Sequence, residues 1–195
     1  MSETSTGFTG ATFDSKRAEA FAGRLLGALN DAAFCLMASI GHRTGLFDAM
    51  QDQPPMTSGE VASRAGLHER YVREWLGAMV TSGVISVDPQ SVRYQLPPEY
   101  AAYLTRAAAA NNLAVFAQYV PLLGNVEDDI VECFKNGGGV PYARYPRFHA
   151  VMAEESGLSV LSSLRPISFR LSQVWPSSSR AASEGSTSDA AAAAL

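Results

Sequence analysis

Phe21, Leu25, Leu29, Leu36 and Ile40 recur at helical spacing, with Leu26, Ala33 and Met37 widening the stripe, and predict a first long helix from about Ser15 to Ile40. Gly41 is read as its stop, and His42 and Arg43 as positive charge complementing the carboxyl end of the helix dipole, a capping role for His42 rather than a catalytic one. A short helix, Leu46 to Gln51, must end before Pro54 and Pro55. Thr57 and Glu60 have the spacing of a capping box, opening a helix with Val61, Ala62 and Ala65 on its core side and Gly66 at its end. A second helix presents Leu67, Val72, Trp75, Leu76, Met79 and Val80 on one face and closes at Gly83. Val84 to Val87, the turn Asp88-Pro89-Gln90-Ser91, and the alternation Val92, Tyr94, Leu96 then spell a hairpin. Helix, turn, helix and hairpin make a winged helix.

Further along, Pro97 and Pro98 lead into a helix from Glu99 to about Ala110, Pro98 suiting its first turn. Leu113, Phe116, Ala117 and Val120 form another apolar face, broken at Pro121. Val126 to Phe134 is a short acidic helix; its consecutive carboxylates Glu127, Asp128 and Asp129 point in different directions and read as a charged helix amino terminus rather than a metal site. Gly137-Gly138-Gly139 lacks phosphate-loop spacing and reads as a link. The aromatic-rich segment PYARYPRFHAVMAEESG enters a helix from about Pro146 to Ser156, where Phe148, Met152 and Ser156 share one face. The expected fold is therefore mainly α: a winged helix-turn-helix domain with a small β-hairpin wing, flanking helices and a disordered tail. The expected boundaries are a flexible 1–14, a winged-helix and dimerisation domain at 15–110, a helical linker and substrate-cap region at 111–157, and the tail at 158–195.

Composition narrows the function. The 195 residues are 47% hydrophobic and 17% charged, with a net charge of -4, so no overall basic excess is there to release counterions from nucleic acid. Between Thr57 and Ser82, Glu60, Glu69 and Glu74 balance Arg64, Arg70 and Arg73, and the wing offers only Arg93, which argues for packing or dimerisation over DNA readout. Cys35 and Cys133 lie far apart inside apolar helical patterns and read as buried small hydrophobes, not as a disulfide or zinc pair. No stretch reads as a membrane span and Met1 to Gly10 has no secretory pattern, which points to a cytoplasmic protein.

The words AFAGRLLGALNDAAFCLMASIGHRTGLFDAM, GLHERYVREWLGAMVTSGVI, NLAVFAQYVPLLGNVEDDIVECF and YPRFHAVMAEESG resemble the amino-terminal region of bacterial class I S-adenosylmethionine-dependent methyltransferases that carry a winged-helix domain. The resemblance covers about seven tenths of the chain, Phe21 to Gly157. In similar small-molecule O-methyltransferases this region forms a dimer and roofs the substrate pocket. It implies a homodimer, an unidentified small-molecule substrate, and Phe148, Met152 and Ser156 at the mouth of the cofactor site. Tyr119, Tyr142, Tyr145 and His149 become candidates for the substrate cap.

Such enzymes continue into a doubly wound sheet with a D-x-G-x-G-x-G turn. This chain departs there: 158–195 holds 11 serines and 7 alanines with little periodicity after Trp175. Read one nucleotide earlier, the codons of Ser186 to Leu195 permit V-D-V-G-C-G-R-G-R-A, and those of Ser168 to Pro176 permit L-L-P-L-V-P-G-L-A. The expectation is thus a truncated or frameshifted methyltransferase, with no S-adenosylmethionine binding or methyl transfer by this chain alone. The rival readings are a winged-helix DNA-binding transcriptional regulator and a regulatory partner of an intact paralogue.

Overall fold

The computed structural model describes residues 12–157. Helix α1 spans Ser15–Thr44, capped at its start by Asp14, whose carboxylate accepts from the Arg17 N–H. It runs one turn past the stop expected at Gly41. The left-handed residue that ends it is Gly45 (φ 74°), whose N–H donates to the carbonyls of Gly41 and His42. Gly41 is used instead for close packing: a Cβ there would lie 2.5 Å from Trp75 Cζ2 and 2.7 Å from Phe47 Cε2. The last turns of α1 enter the core with Ala38, Ser39, Gly41 and His42 buried, whereas Phe21, Leu25, Leu26 and Leu29 stand exposed on its first half. By length and composition this 30-residue helix could cross a membrane, contrary to the sequence reading, although its carboxyl-terminal turns are committed to a protein core.

Helix α2 (Leu46–Met50) buries Leu46, Phe47 and Met50. Helix α3 (Ser58–Ala65) opens on the expected capping box, with Thr57 accepting from the Glu60 N–H and Glu60 accepting from the Thr57 N–H at 2.7 Å. It ends at Gly66, φ 67°. Helix α4 (Glu69–Thr81) buries Val72, Trp75, Leu76 and Met79. The Trp75 indole N–H donates to the Met37 carbonyl at 2.9 Å and its ring meets Phe47 edge-on, centroids 5.2 Å apart. One indole thereby fixes α4 against both α1 and α2.

Strands β1 (Ser86–Asp88) and β2 (Arg93–Gln95) pair antiparallel with Val87 opposite Tyr94. The backbones of Met56 and Tyr94 exchange two hydrogen bonds, joining the wing to the segment before α3. Ile85 and Leu96 at the hairpin's ends are buried, while Val92 is exposed at φ 51°, in the turn rather than in the alternation. The winged helix read from the sequence is therefore present.

Helix α5 covers Pro98–Leu104, shorter than expected; Thr105 turns extended, and a 3-10 segment, Arg106–Asn111, follows. The buried Thr105 hydroxyl donates to the Ala101 carbonyl, which also accepts the Thr105 N–H, so the hydroxyl is satisfied inside the core. Helices α6 (Ala114–Ala117) and α7 (Tyr119–Gly124) break at Gln118 rather than at Pro121, which lies inside α7. Pro121 has no N–H for the carbonyl four residues back, so the interruption falls upstream of it. The face turned inward is Ala114, Val115, Gln118 and Leu122; of the apolar face read from the sequence, Ala117 is half-buried against the core, while Leu113, Phe116 and Val120 point outward. Helix α8 is Glu127–Asn136, and a final helix, α9, occupies 148–157. Both cysteines are half-buried and free, not fully buried as expected. The expectations for 1–11 and for the 158–195 tail lie outside the described residues.

Candidate functional site

The structure gathers the aromatic residues of the last segment around Phe148. Ring centroids lie 5.6 Å from Tyr142, 5.9 Å from Tyr145 and 6.4 Å from Tyr119, all inclined to the Phe148 ring. Tyr142 also stacks on His149 at 6.2 Å. A cavity of about 350 Å³ opens among Leu123, Val140, Tyr142, Tyr145 and Phe148. All four substrate-cap candidates thus belong to one cluster. Tyr142 and His149 form its exposed edge, while Tyr119, Tyr145 and Phe148 are half-buried. The Tyr119 hydroxyl donates to Glu155 at 2.7 Å, and this hydrogen bond, which the tyrosinate could not make, raises the phenol above its usual range, with burial and the carboxylate's charge adding to it.

Met152 and Ser156, one and two turns beyond Phe148 on α9, are exposed. The resemblance places them, with Phe148, at the mouth of an S-adenosylmethionine site. That cofactor needs a glycine turn whose N–H groups approach it and a carboxylate for the ribose hydroxyls. The glycine run 137–139 follows the end of α8 and no strand leads into it, and Glu155 is engaged by Tyr119. The described residues do not fit the complete cofactor.

Two of the basic groups that could meet DNA are turned to internal partners. Arg93 on the wing donates to the Pro55 carbonyl at 2.8 Å and to Glu60 at 3.0 Å, and Arg73 on α4 pairs with Glu69 at 3.6 Å. On α8, Asp129 is held below the usual carboxylate range by hydrogen bonds from Arg144. No cluster of metal-ligating side chains occurs among the described residues.

No motif in the chain marks the polar network that joins α1, the α6–α7 junction and α9. His42, 1% exposed, places Nε2 at 2.7 Å from Glu154 Oε1, while Gln118 donates to Glu154 Oε2 at 3.0 Å. Arg147, itself at φ 60°, donates to the Gln118 side-chain carbonyl at 2.8 Å. Arg106 donates to the His42 carbonyl and pairs with Asp48. Burial pushes the Glu154 carboxyl up, but hydrogen bonds from Gln118 and His42 and the nearby Arg106 charge outweigh it and hold the group below its usual range.

Residues 32–106 match the family model of the Rv2258c-like winged HTH domain, in agreement with the helix-turn-helix and hairpin of the structure. The same fold recurs in three solved proteins. Mitomycin 7-O-methyltransferase MmcR is 17% identical with a TM-score of 0.54, the match covering 75% of this chain and 47% of that one. PigF, solved with SAH, is 15% identical with a TM-score of 0.51, covering 80% and 48%. The S-adenosylmethionine-dependent methyltransferase SibL, in its apo form, is 20% identical with a TM-score of 0.51, covering 72% and 45%. The chain spans less than half the length of each. No curated protein sequence matches it. The architecture is that of a winged helix-turn-helix domain with flanking helices, a fold that these three proteins share.

Proposed function

We propose that residues 12–157 act as the dimerisation and substrate-cap part of a cytoplasmic methyltransferase for a small molecule, and that the 195-residue chain alone neither binds S-adenosylmethionine nor transfers its methyl group. The observation that carries the reading is the aromatic cavity beside the exposed Met152 and Ser156. Inclined rings on several sides suit an apolar or aromatic body, and a face left open beside them suits a second domain bearing the cofactor. In such an enzyme the cap's contribution is positioning and exclusion of water, which brings the acceptor atom in line with the cofactor methyl. The uncovered apolar stripe of α1 supports a homodimer, since Phe21, Leu25, Leu26 and Leu29 are between 50% and 63% exposed on one arm.

The reading is tested by titrating the purified chain with 2-naphthol and, separately, with S-adenosylmethionine. Naphthol should bind weakly and lose about tenfold in affinity in Tyr142→Ala, and S-adenosylmethionine should give no signal. Tight cofactor binding would refute the inactivity, and naphthol binding unaffected by Tyr142→Ala would refute the cap. The DNA-regulator alternative requires duplex binding that weakens steeply with salt; the engagement of Arg93 and Arg73 by carboxylates weighs against it.

A further inference from the structure

We infer that Glu154 is the positioning residue of α9: its two carboxylate oxygens tie that helix to α1 through His42 and to the α6–α7 junction through Gln118, and they select the Nε2–H form of the His42 ring. The direction of every bond follows from donor chemistry. Arg147 can only donate, so Gln118 must turn its carbonyl toward Arg147 and its NH2 toward Glu154. Glu154 Oε2 therefore accepts. With the carboxylate ionised, Oε1 accepts as well, and the ring nitrogen 2.7 Å away must carry the proton. His42 Nδ1 is buried without a hydrogen-bond partner among the described residues, so a proton placed there would be a buried N–H left unpaired, which favours the Nε2–H tautomer.

The consequence is positional. His42 and Glu154 are 112 positions apart, and theirs is a side-chain hydrogen bond that joins α9 directly to the last turns of α1. Val151 buries the same side of α9, but an apolar contact permits sliding, whereas two charge-assisted hydrogen bonds from fixed donors set rotation and height together. Phe148 and the cavity it lines ride on this helix. That the locked helix is a substrate cap rests on the proposed function; the latch does not.

The experiment reads the latch alone, in the full chain, by 15N NMR of the imidazoles of His42, His68 and His149 together with amide hydrogen exchange over 148–157. The wild-type His42 should show the Nε2–H tautomer. Glu154→Gln can still accept from Gln118 only by turning its NH2 toward His42, so the ring should shift its proton to Nδ1, and the amides of α9 should exchange at least tenfold faster while those of α4 do not change. Tyr119→Phe should leave the tautomer untouched. Gln118→Met should speed exchange in α9. An Nδ1–H tautomer in the wild type, an unchanged tautomer in Glu154→Gln, or unchanged exchange in either latch variant would overturn the inference. Should Glu154→Gln fail to fold, the wild-type spectrum and Gln118→Met still decide. Loss of 2-naphthol binding would not bear on the latch, and an intact latch without naphthol binding would refute the cap alone.

Discussion

Gly41→Ala sets two known effects against each other at one position. Within a helix, replacing glycine by alanine is favourable by about 1 kcal/mol, because the unfolded chain loses freedom and the helix gains a better former. At Gly41 the new methyl would sit 2.5 Å from Trp75 Cζ2 and 2.7 Å from Phe47 Cε2, about 1 Å inside ordinary contact with two rings. Neither ring has room to yield. Trp75 is 2% exposed and tied by its N–H to the Met37 carbonyl, Phe47 is fully buried, and each packs on the other. Overpacking of this kind costs about 1–3 kcal/mol, and moving Trp75 would strain a hydrogen bond worth about 1 kcal/mol more. The net expectation is a loss of about 2 kcal/mol, or about 6 °C in Tm for a domain of this size. Urea unfolding followed by tryptophan fluorescence measures it, with Gly77→Ala as the control: that site lies in α4, its added Cβ meets nothing within 4 Å, and it should gain stability. A midpoint for Gly41→Ala equal to or above that of the wild type would refute the packing argument.

Other consequences can be measured in parallel. Thr57→Ala removes the cap of α3 and should cost about 1 kcal/mol in urea unfolding, with Thr57→Ser retaining most of it. Glu154 titrates below its usual range in the folded protein, so its contribution to stability is present above the unfolded value of about 4.3 and is lost as pH falls through the folded value; unfolding midpoints taken from pH 6 to pH 3 should therefore fall less in Glu154→Gln than in the wild type. Leu25→Asp combined with Leu29→Asp, on the exposed arm of α1, should convert a dimer to a monomer in sedimentation without loss of helical circular dichroism.

Where the sequence carried a local signal, the fold followed it. Thr57 and Glu60 announce their capping box within four residues, and the apolar face of α4 is written at helical spacing, so the winged helix could be read before any contact was known. Errors fell where a residue had two uses. Gly41 resembles a helix stop, yet Gly45 supplies the left-handed cap and Gly41 supplies space for Trp75. Leu113, Phe116 and Val120 resemble a core face, but the inward face of α6 and α7 includes a polar residue, Gln118, that no hydrophobic pattern would select. Pattern reading assigns apolar residues to the interior, and a buried amide held between a carboxylate and a guanidinium is outside its reach.

The same reasoning explains why half of the site was legible and half was not. Tyr142, Tyr145, Phe148 and His149 lie within eight positions of one another, and a helix beginning in such a segment must bring several rings together. The latch is assembled from the end of α1, the α6–α7 junction and α9, and His42 and Glu154 become neighbours only after the winged helix has placed α1 and the Pro121 interruption has turned Gln118 inward. His42 also had a sufficient local explanation, a cation at a helix carboxyl terminus, which concealed its second one. The aromatic wall can therefore change with substitutions inside one short segment, whereas the latch constrains three at once. Variation among related proteins should accordingly fall on the rings that face a ligand, while the His42–Glu154–Gln118 geometry, which ties the wall to its scaffold, resists change at any one position.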